Sequence, residues 1–253
     1  MNHQMMFRTS RTSRLRAGST AALLLGFLTL TASFVRSPRG RTSVASGGAL
    51  GRPLAPAVDA SSAPVRAAVR RALAAHAGGT YIVEMLAERD SALARWPDQG
   101  GEPLVVWVQP RSDIAGWASS YADDVRGAFR QWDALELPVR FAFTTDSALA
   151  DVHVNFVDHF DEEISGRTKW ARDDAWWITD ADIVLAVYHR DGPMLDDDAM
   201  HAMALHEIGH LLGLDHTADS TSIMASRVRV RSLSRADSAT VRLLYTLPPG
   251  GVR

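Results

Sequence analysis

Hydrophobic positions change their period several times along the chain, and each change marks an element. Ala21 to Val35 is a mostly apolar run without charged residues, followed by a stretch from Arg36 to Ala63 rich in Gly, Pro, Ser and Ala with no period at all. Pro64 then opens a segment in which Val65, Ala68, Val69 and Leu73 recur at helical spacing, closing at Gly78 and Gly79. Tyr81 to Leu93 sets Ile82, Met85, Leu86 and Leu93 on one side, which predicts a second helix ending before Pro97.

From Pro103 onward the pattern alternates between strand and helix. Leu104 to Val108 reads as a buried strand, and Tyr121 to Leu135 as a helix with Val125, Phe129 and Trp132 on its inner face. Val139 to Phe143, Val152 to Val157 and Ile183 to Val187 read as further strands. Asp196, Asp197 and Asp198 stand where carboxylates cap a helix, and Met200, Met203, Leu205 and Ile208 carry that helix to Leu212. A last helix starts at Ser234, where Asp237 three residues on completes a capping-box pattern, and runs through Val241, Leu244 and Tyr245 towards Pro248. A strand, a helix, several strands and two closing helices predict an α+β fold, one twisted mixed sheet packed on helices.

Charge divides the chain in two. No acidic residue precedes Asp59, whereas eight arginines do. Without those eight, 19 basic residues remain against 29 acidic ones, a net charge of −10. Such a body leaves little to neutralise phosphates, which argues against nucleic acid as a partner. Arg8 to Arg16 followed by the 15-residue apolar run has the form of a secretory leader, too short for a spanning helix of about 20 residues. Thr31-Ala32-Ser33 and Ser43-Val44-Ala45 offer small residues for its removal. The expected organisation is a signal peptide over 1–35, a flexible linker over 36–63, a helical pro-segment or N-terminal extension over 64–102, and a main domain over 103–248. The chain is expected to be monomeric and secreted, or held in the periplasm or cell envelope, with a membrane contact only if the leader stays uncleaved. Cysteine is absent, which excludes a disulfide framework, a Cys-ligated metal and a catalytic thiol.

The chemistry is concentrated in His206-Glu207-Ile208-Gly209-His210-Leu211-Leu212-Gly213-Leu214-Asp215-His216. Histidines four apart on a helix project from one face, so His206 and His210 can reach one tetrahedral cation. Gly213 can end the helix in a left-handed conformation and turn the chain back, bringing His216 in as a third ligand. Three neutral nitrogens and no fourth side chain leave one zinc position open, the arrangement of a catalytic site. Glu207, beside the first ligand, is the candidate general base acting on a zinc-bound water.

These eleven residues match the metzincin zinc-binding signature, and the chain resembles the matrixins in particular. Met224, eight residues after His216, stands where metzincins place a methionine turn beneath the metal. Thr217 takes the place of a matrixin serine, and Ala150 to Phe156, Ala181 to Leu185 and Leu233 to Tyr245 are similar to two matrixin strands and the closing helix. The resemblance covers about Pro103 to Pro248. It implies a zinc endopeptidase whose metal is held by His206, His210 and His216, with Glu207 as base, Gly213 and Met224 in support, and a protein or peptide substrate lying along an edge strand.

That edge is assigned to Thr168 to Asp173, with Trp170 as a platform, while Trp176 and Trp177 are read as packing residues. Arg227 to Arg231 falls where the specificity wall lies, its arginines and valines not yet assigned to a side. The chain departs from the family in lacking the cysteine of a latency switch, so latency would have to rest on steric cover or on a carboxylate such as Glu84 or Asp90. A second zinc would need partners for His159 and Asp161, for which only His189 is at hand; His153, His159 and His189 are read as strand-end or surface residues. Asp158, Asp161, Asp173, Asp174, Asp180 and Asp182 leave calcium open without an ordered ligand spacing. Two other functions fit the same motif: a non-catalytic metal-binding interaction module, and a zinc hydrolase of a non-peptide amide.

Overall fold

The computed structural model describes residues 62–89, 91–190 and 192–252. The expected signal peptide, and the linker as far as residue 61, lie outside them. No helix among the described residues is long and apolar enough to cross a membrane.

The α+β reading holds. Five strands form a sheet in the order β3-β2-β4-β6-β5, with β2 at Leu104–Val108, β3 at Phe141–Thr144, β4 at Val152–Val157, β5 at Gly166–Arg172 and β6 at Ile178–Ala186. Neighbours are parallel except β5, which runs antiparallel to β6 and forms the edge. Strict alternation of burial in β2 and β4 shows one covered face, and the helices α3 (Ser120–Asp133) and α4 (Asp197–Leu211) lie against it and each other. Trp132 in α3 is wholly buried, and its indole N–H donates to the Leu205 carbonyl of α4 at 3.0 Å. That bond satisfies the one polar atom of the largest core side chain. The helix α5 (Arg235–Thr246) follows, begun by the capping box foreseen at Ser234 and Asp237. Asp196 caps α4 by accepting from the Ala199 N–H at 2.7 Å.

Several boundaries differ from the sequence reading. The predicted helix at Tyr81–Leu93 is α2, Ile82–Glu88 only, because Ser91 takes a left-handed φ of 62° and the chain then enters a strand, β1 (Ala92–Leu93). β1 pairs antiparallel with β7 (Gly250–Gly251), a non-local partner that no local pattern announces. The strand expected at Val139 to Phe143 begins two residues later, and the one at Ile183 to Val187 begins already at Ile178, lengthened by its pairing with β5.

The segment over 64–102 is part of the same core. The helix α1 (Ala63–His76) buries Val69 and Leu73, and Tyr81, Ile82, Met85, Leu86, Leu93, Ala94 and Trp96 join the cluster that contains Leu205, Ile208 and Met224.

Candidate metal centre and cleft

α4 and the turn after it build the centre. His206 and His210 share a face of α4, and the helix ends in a Schellman motif: Gly213 N–H bonds the His210 carbonyl at 3.0 Å and Leu214 N–H the Gly209 carbonyl at 2.9 Å. Gly213 holds φ +97°, and a Cβ there would overlap the Ala94 carbonyl, so both backbone conformation and close packing require glycine. The reversal brings His216 back. The Nε2 atoms of His206, His210 and His216 lie 3.1, 3.2 and 3.3 Å from one another.

That triangle fits a metal and little else. The Nδ1 atoms of His206 and His210 donate to the carbonyls of Ile223 (2.7 Å) and Leu214 (3.0 Å), so their Nε2 atoms present lone pairs. Lone pairs converging in a partly buried site repel unless a cation lies between them. Nitrogens about 2.0–2.1 Å from a tetrahedral zinc would stand about 3.3–3.4 Å apart, close to the observed edges. Burial drives His206 down to about 4 and His210 well below its ordinary value, keeping both imidazoles neutral at physiological pH, as ligands must be.

The floor of the centre is locked from below. Met224 is fully buried, and a Cβ on Gly209 would overlap its sulfur. Asp237 of α5, also fully buried, accepts from the Ser222 hydroxyl and Ile223 N–H of the methionine turn, from Ser234 N–H, and from the Tyr81 hydroxyl at 3.2 Å. Since the Ile223 carbonyl orients His206 while the Ile223 N–H donates to Asp237, Asp237 reaches the centre through one residue. The capping box had marked Asp237 for its helix alone; its second task depends on the turn folding over it.

Glu207 is 3% exposed and faces β5. Its Oε2 accepts from the Thr168 hydroxyl at 2.6 Å, and a Cβ on Gly166 would collide with its carboxylate. Burial raises the Glu207 carboxyl to about 7, against the pull of Thr168. The sequence pattern places Thr168 on the edge but not against Glu207, and it gives Gly166 no signal.

A cleft of about 890 Å³ opens over the centre, lined among others by Thr168, Trp170, Met203, Glu207 and the three histidines. The edge strand is Gly166–Arg172, two residues earlier than expected at its start. Trp170 lines the cleft, with the Arg89 guanidinium 5.2 Å from its ring. Trp176 and Trp177 pack under Arg172 and Arg95. In the segment after the methionine turn, Val228 and Val230 pack inward and Arg229 and Arg231 point out, while Arg227 and Val228 reach the cleft. Glu84 does not approach the histidines' Nε2 atoms; it accepts from the Thr217 hydroxyl and Ala218 N–H at 2.8 and 3.0 Å. Asp90 lies outside the described residues. His153, His159 and His189 remain apart, bonded to Ser147, Asp158 and Ser165. Among the described residues, no second group of three or more His, Asp or Glu side chains converges as a metal site does.

Comparison with known families decides what this architecture is: the matrixin profile matches residues 111–246, over half of the chain. The chain belongs to the matrixin family. Its α+β architecture is accordingly that of the metzincins, with active-site helix, methionine turn and closing helix in their expected order. It is also similar to metalloendoproteinase 1 of Glycine max, 25% identical over 181 residues, which cover 62% of this chain and 54% of that protein. The chain thus spans about half the length of this curated relative.

Proposed function

We propose that the chain is a zinc-dependent endopeptidase in which His206, His210 and His216 hold the metal and Glu207 is the general base. The observation that carries this reading is the triangle of Nε2 atoms with a buried carboxylate beside it, facing an open cleft. Membership of the matrixin family and the likeness to a metalloendoproteinase support the same reading. Zinc bound there supplies Lewis acidity, polarising a peptide carbonyl and making water acidic enough to ionise near neutral pH.

The chain's own groups do the rest. Glu207, raised to about 7 by burial, is matched to take a proton from water and to return it to the departing amine nitrogen. Thr168 holds the carboxylate in place against β5. The outer edge of β5 offers backbone groups to an extended peptide, which favours protein over small-molecule amides. The basic leader and its apolar run support export, so the substrate is met outside the cytoplasm.

Glu207→Gln tests the assignment. The variant should keep its zinc and its fold while cleavage of an unfolded protein falls by about 10²–10⁴-fold. Undiminished cleavage by zinc-loaded Glu207→Gln would remove Glu207 from the mechanism. A chelator-insensitive activity would remove the zinc mechanism, and no activity in the zinc-loaded wild type would remove the peptidase reading and favour a metal-binding module.

A further inference from the structure

Arg89 stands at the C-terminal end of α2, outside the residues matched to the family, yet all three of its guanidinium nitrogens are committed to the loop joining two metal-site histidines. Nη1 donates to the Gly213 carbonyl at 2.8 Å, Nη2 to the Leu214 carbonyl at 3.1 Å, and Nε pairs with Asp215 at 2.7 Å. The Leu214 carbonyl is the one that accepts from His210 Nδ1. The side chain is 13% exposed and its plane lies by Trp170 of the edge strand. Five residues earlier, Glu84 grips Thr217 and Ala218, directly after His216. Further on, the Ala94 carbonyl presses on Gly213 and the Trp96 indole N–H donates to the Leu211 carbonyl at 2.9 Å. Residues 84–96 therefore hold the ligand loop on both sides of His216.

We propose that Arg89 is a positioning residue of the metal centre and that the segment bearing it remains in the active chain instead of being shed from it. A planar fork with donors on three sides suits three consecutive acceptors, which a point-charged ammonium cannot span. Gly213 to Asp215 has no regular secondary structure, so without the fork His216 must be immobilised when the metal binds. The Leu214 carbonyl also loses a donor that fixes its direction toward His210. Partners of this rank around metal ligands typically weaken metal binding about 10–100-fold when removed.

The inference rests on the metallopeptidase reading for its meaning in catalysis, but its test does not. Zinc affinity of the full chain is measured by chelator competition, alongside the melting temperature of the zinc-free protein. Arg89→Met should bind zinc about 10–100-fold more weakly, and Arg89→Lys, which keeps the pair with Asp215, should recover part of that loss. A purely structural arginine would lower the zinc-free melting temperature and leave the folded protein's zinc affinity unchanged. If Arg89→Met does not fold, Asp215→Asn decides: weaker zinc binding supports the proposal, and unchanged binding overturns it. A folded Arg89→Met with affinity within about twofold of wild type overturns it too, as does a most active species that mass spectrometry shows to begin beyond Gly101. Weakened zinc in Arg89→Met with an inactive wild type would leave this inference standing and the peptidase reading fallen; unchanged zinc with intact cleavage would do the reverse.

Discussion

Asp237 offers the sharpest quantitative test of how the methionine turn is supported. Asp237→Ala strips the acceptor from four donors: the hydroxyls of Tyr81 and Ser222 and the backbone N–H groups of Ile223 and Ser234. A buried donor left without an acceptor costs about 1–3 kcal/mol. Ser234 is only half-buried, and the Tyr81 bond is long at 3.2 Å, so these two fall at the lower end. The sum is roughly 4–8 kcal/mol, a large share of the 5–15 kcal/mol that holds an ordinary domain together. Asp237→Asn should cost only about 2 kcal/mol. Its amide oxygen can stay on the two N–H groups while its NH₂ faces the two hydroxyls, which can rotate to accept. Urea unfolding of zinc-free protein is the assay, because bound metal would add its own linkage. Zinc affinity should fall in the same order, since the Ile223 carbonyl that orients His206 is carried by this turn. A loss below about 1 kcal/mol for alanine, or a larger loss for asparagine than for alanine, would refute the four-bond account.

Two further changes probe the walls of the centre. Gly209→Ala gains about 1 kcal/mol in helix propensity but forces a methyl group onto the Met224 sulfur, and overpacking of about 1–3 kcal/mol should win; a stabilised variant in thermal unfolding would show that the contact yields freely. Thr168→Val removes the hydroxyl that holds the Glu207 carboxyl down. A general base must be ionised, so cleavage should fall on the acid side as Glu207 takes up a proton, and in Thr168→Val that acid limb should move to higher pH. An unmoved or acid-shifted limb in the pH–rate profile would sever Thr168 from Glu207.

Much of this was legible in the chain because it is local. The spacing of His206 and His210 follows from the helical repeat, and the reversal at Gly213 from the one residue that accepts φ +97° without strain. The caps at Asp196 and Ser234 were readable for the same reason: each side chain bonds backbone three residues away. The position of Met224 was visible too, although its burial against Gly209 was not.

What tertiary structure alone decided is whatever joins residues distant in sequence. Arg89 lies more than a hundred residues from the loop it grips, and nothing in the amphipathic pattern of α2 marks it, because periodicity reports which face is buried and not what a polar residue at the helix end will touch. The same limit hid Gly166, Thr168 and the second role of Asp237, whose partners arrive only when β5, the methionine turn and α5 close around α4. It also shortened α2: helical spacing continued to Leu93, but the pairing of Ala92 and Leu93 with Gly251 and Gly250 supplied backbone hydrogen bonds that local propensity could not foresee. The sequence by itself determined the ligand triad and its turn through the geometry of a single helix and its cap. Packing of remote segments determined how that triad is held, because only a folded chain brings their donors and acceptors within reach.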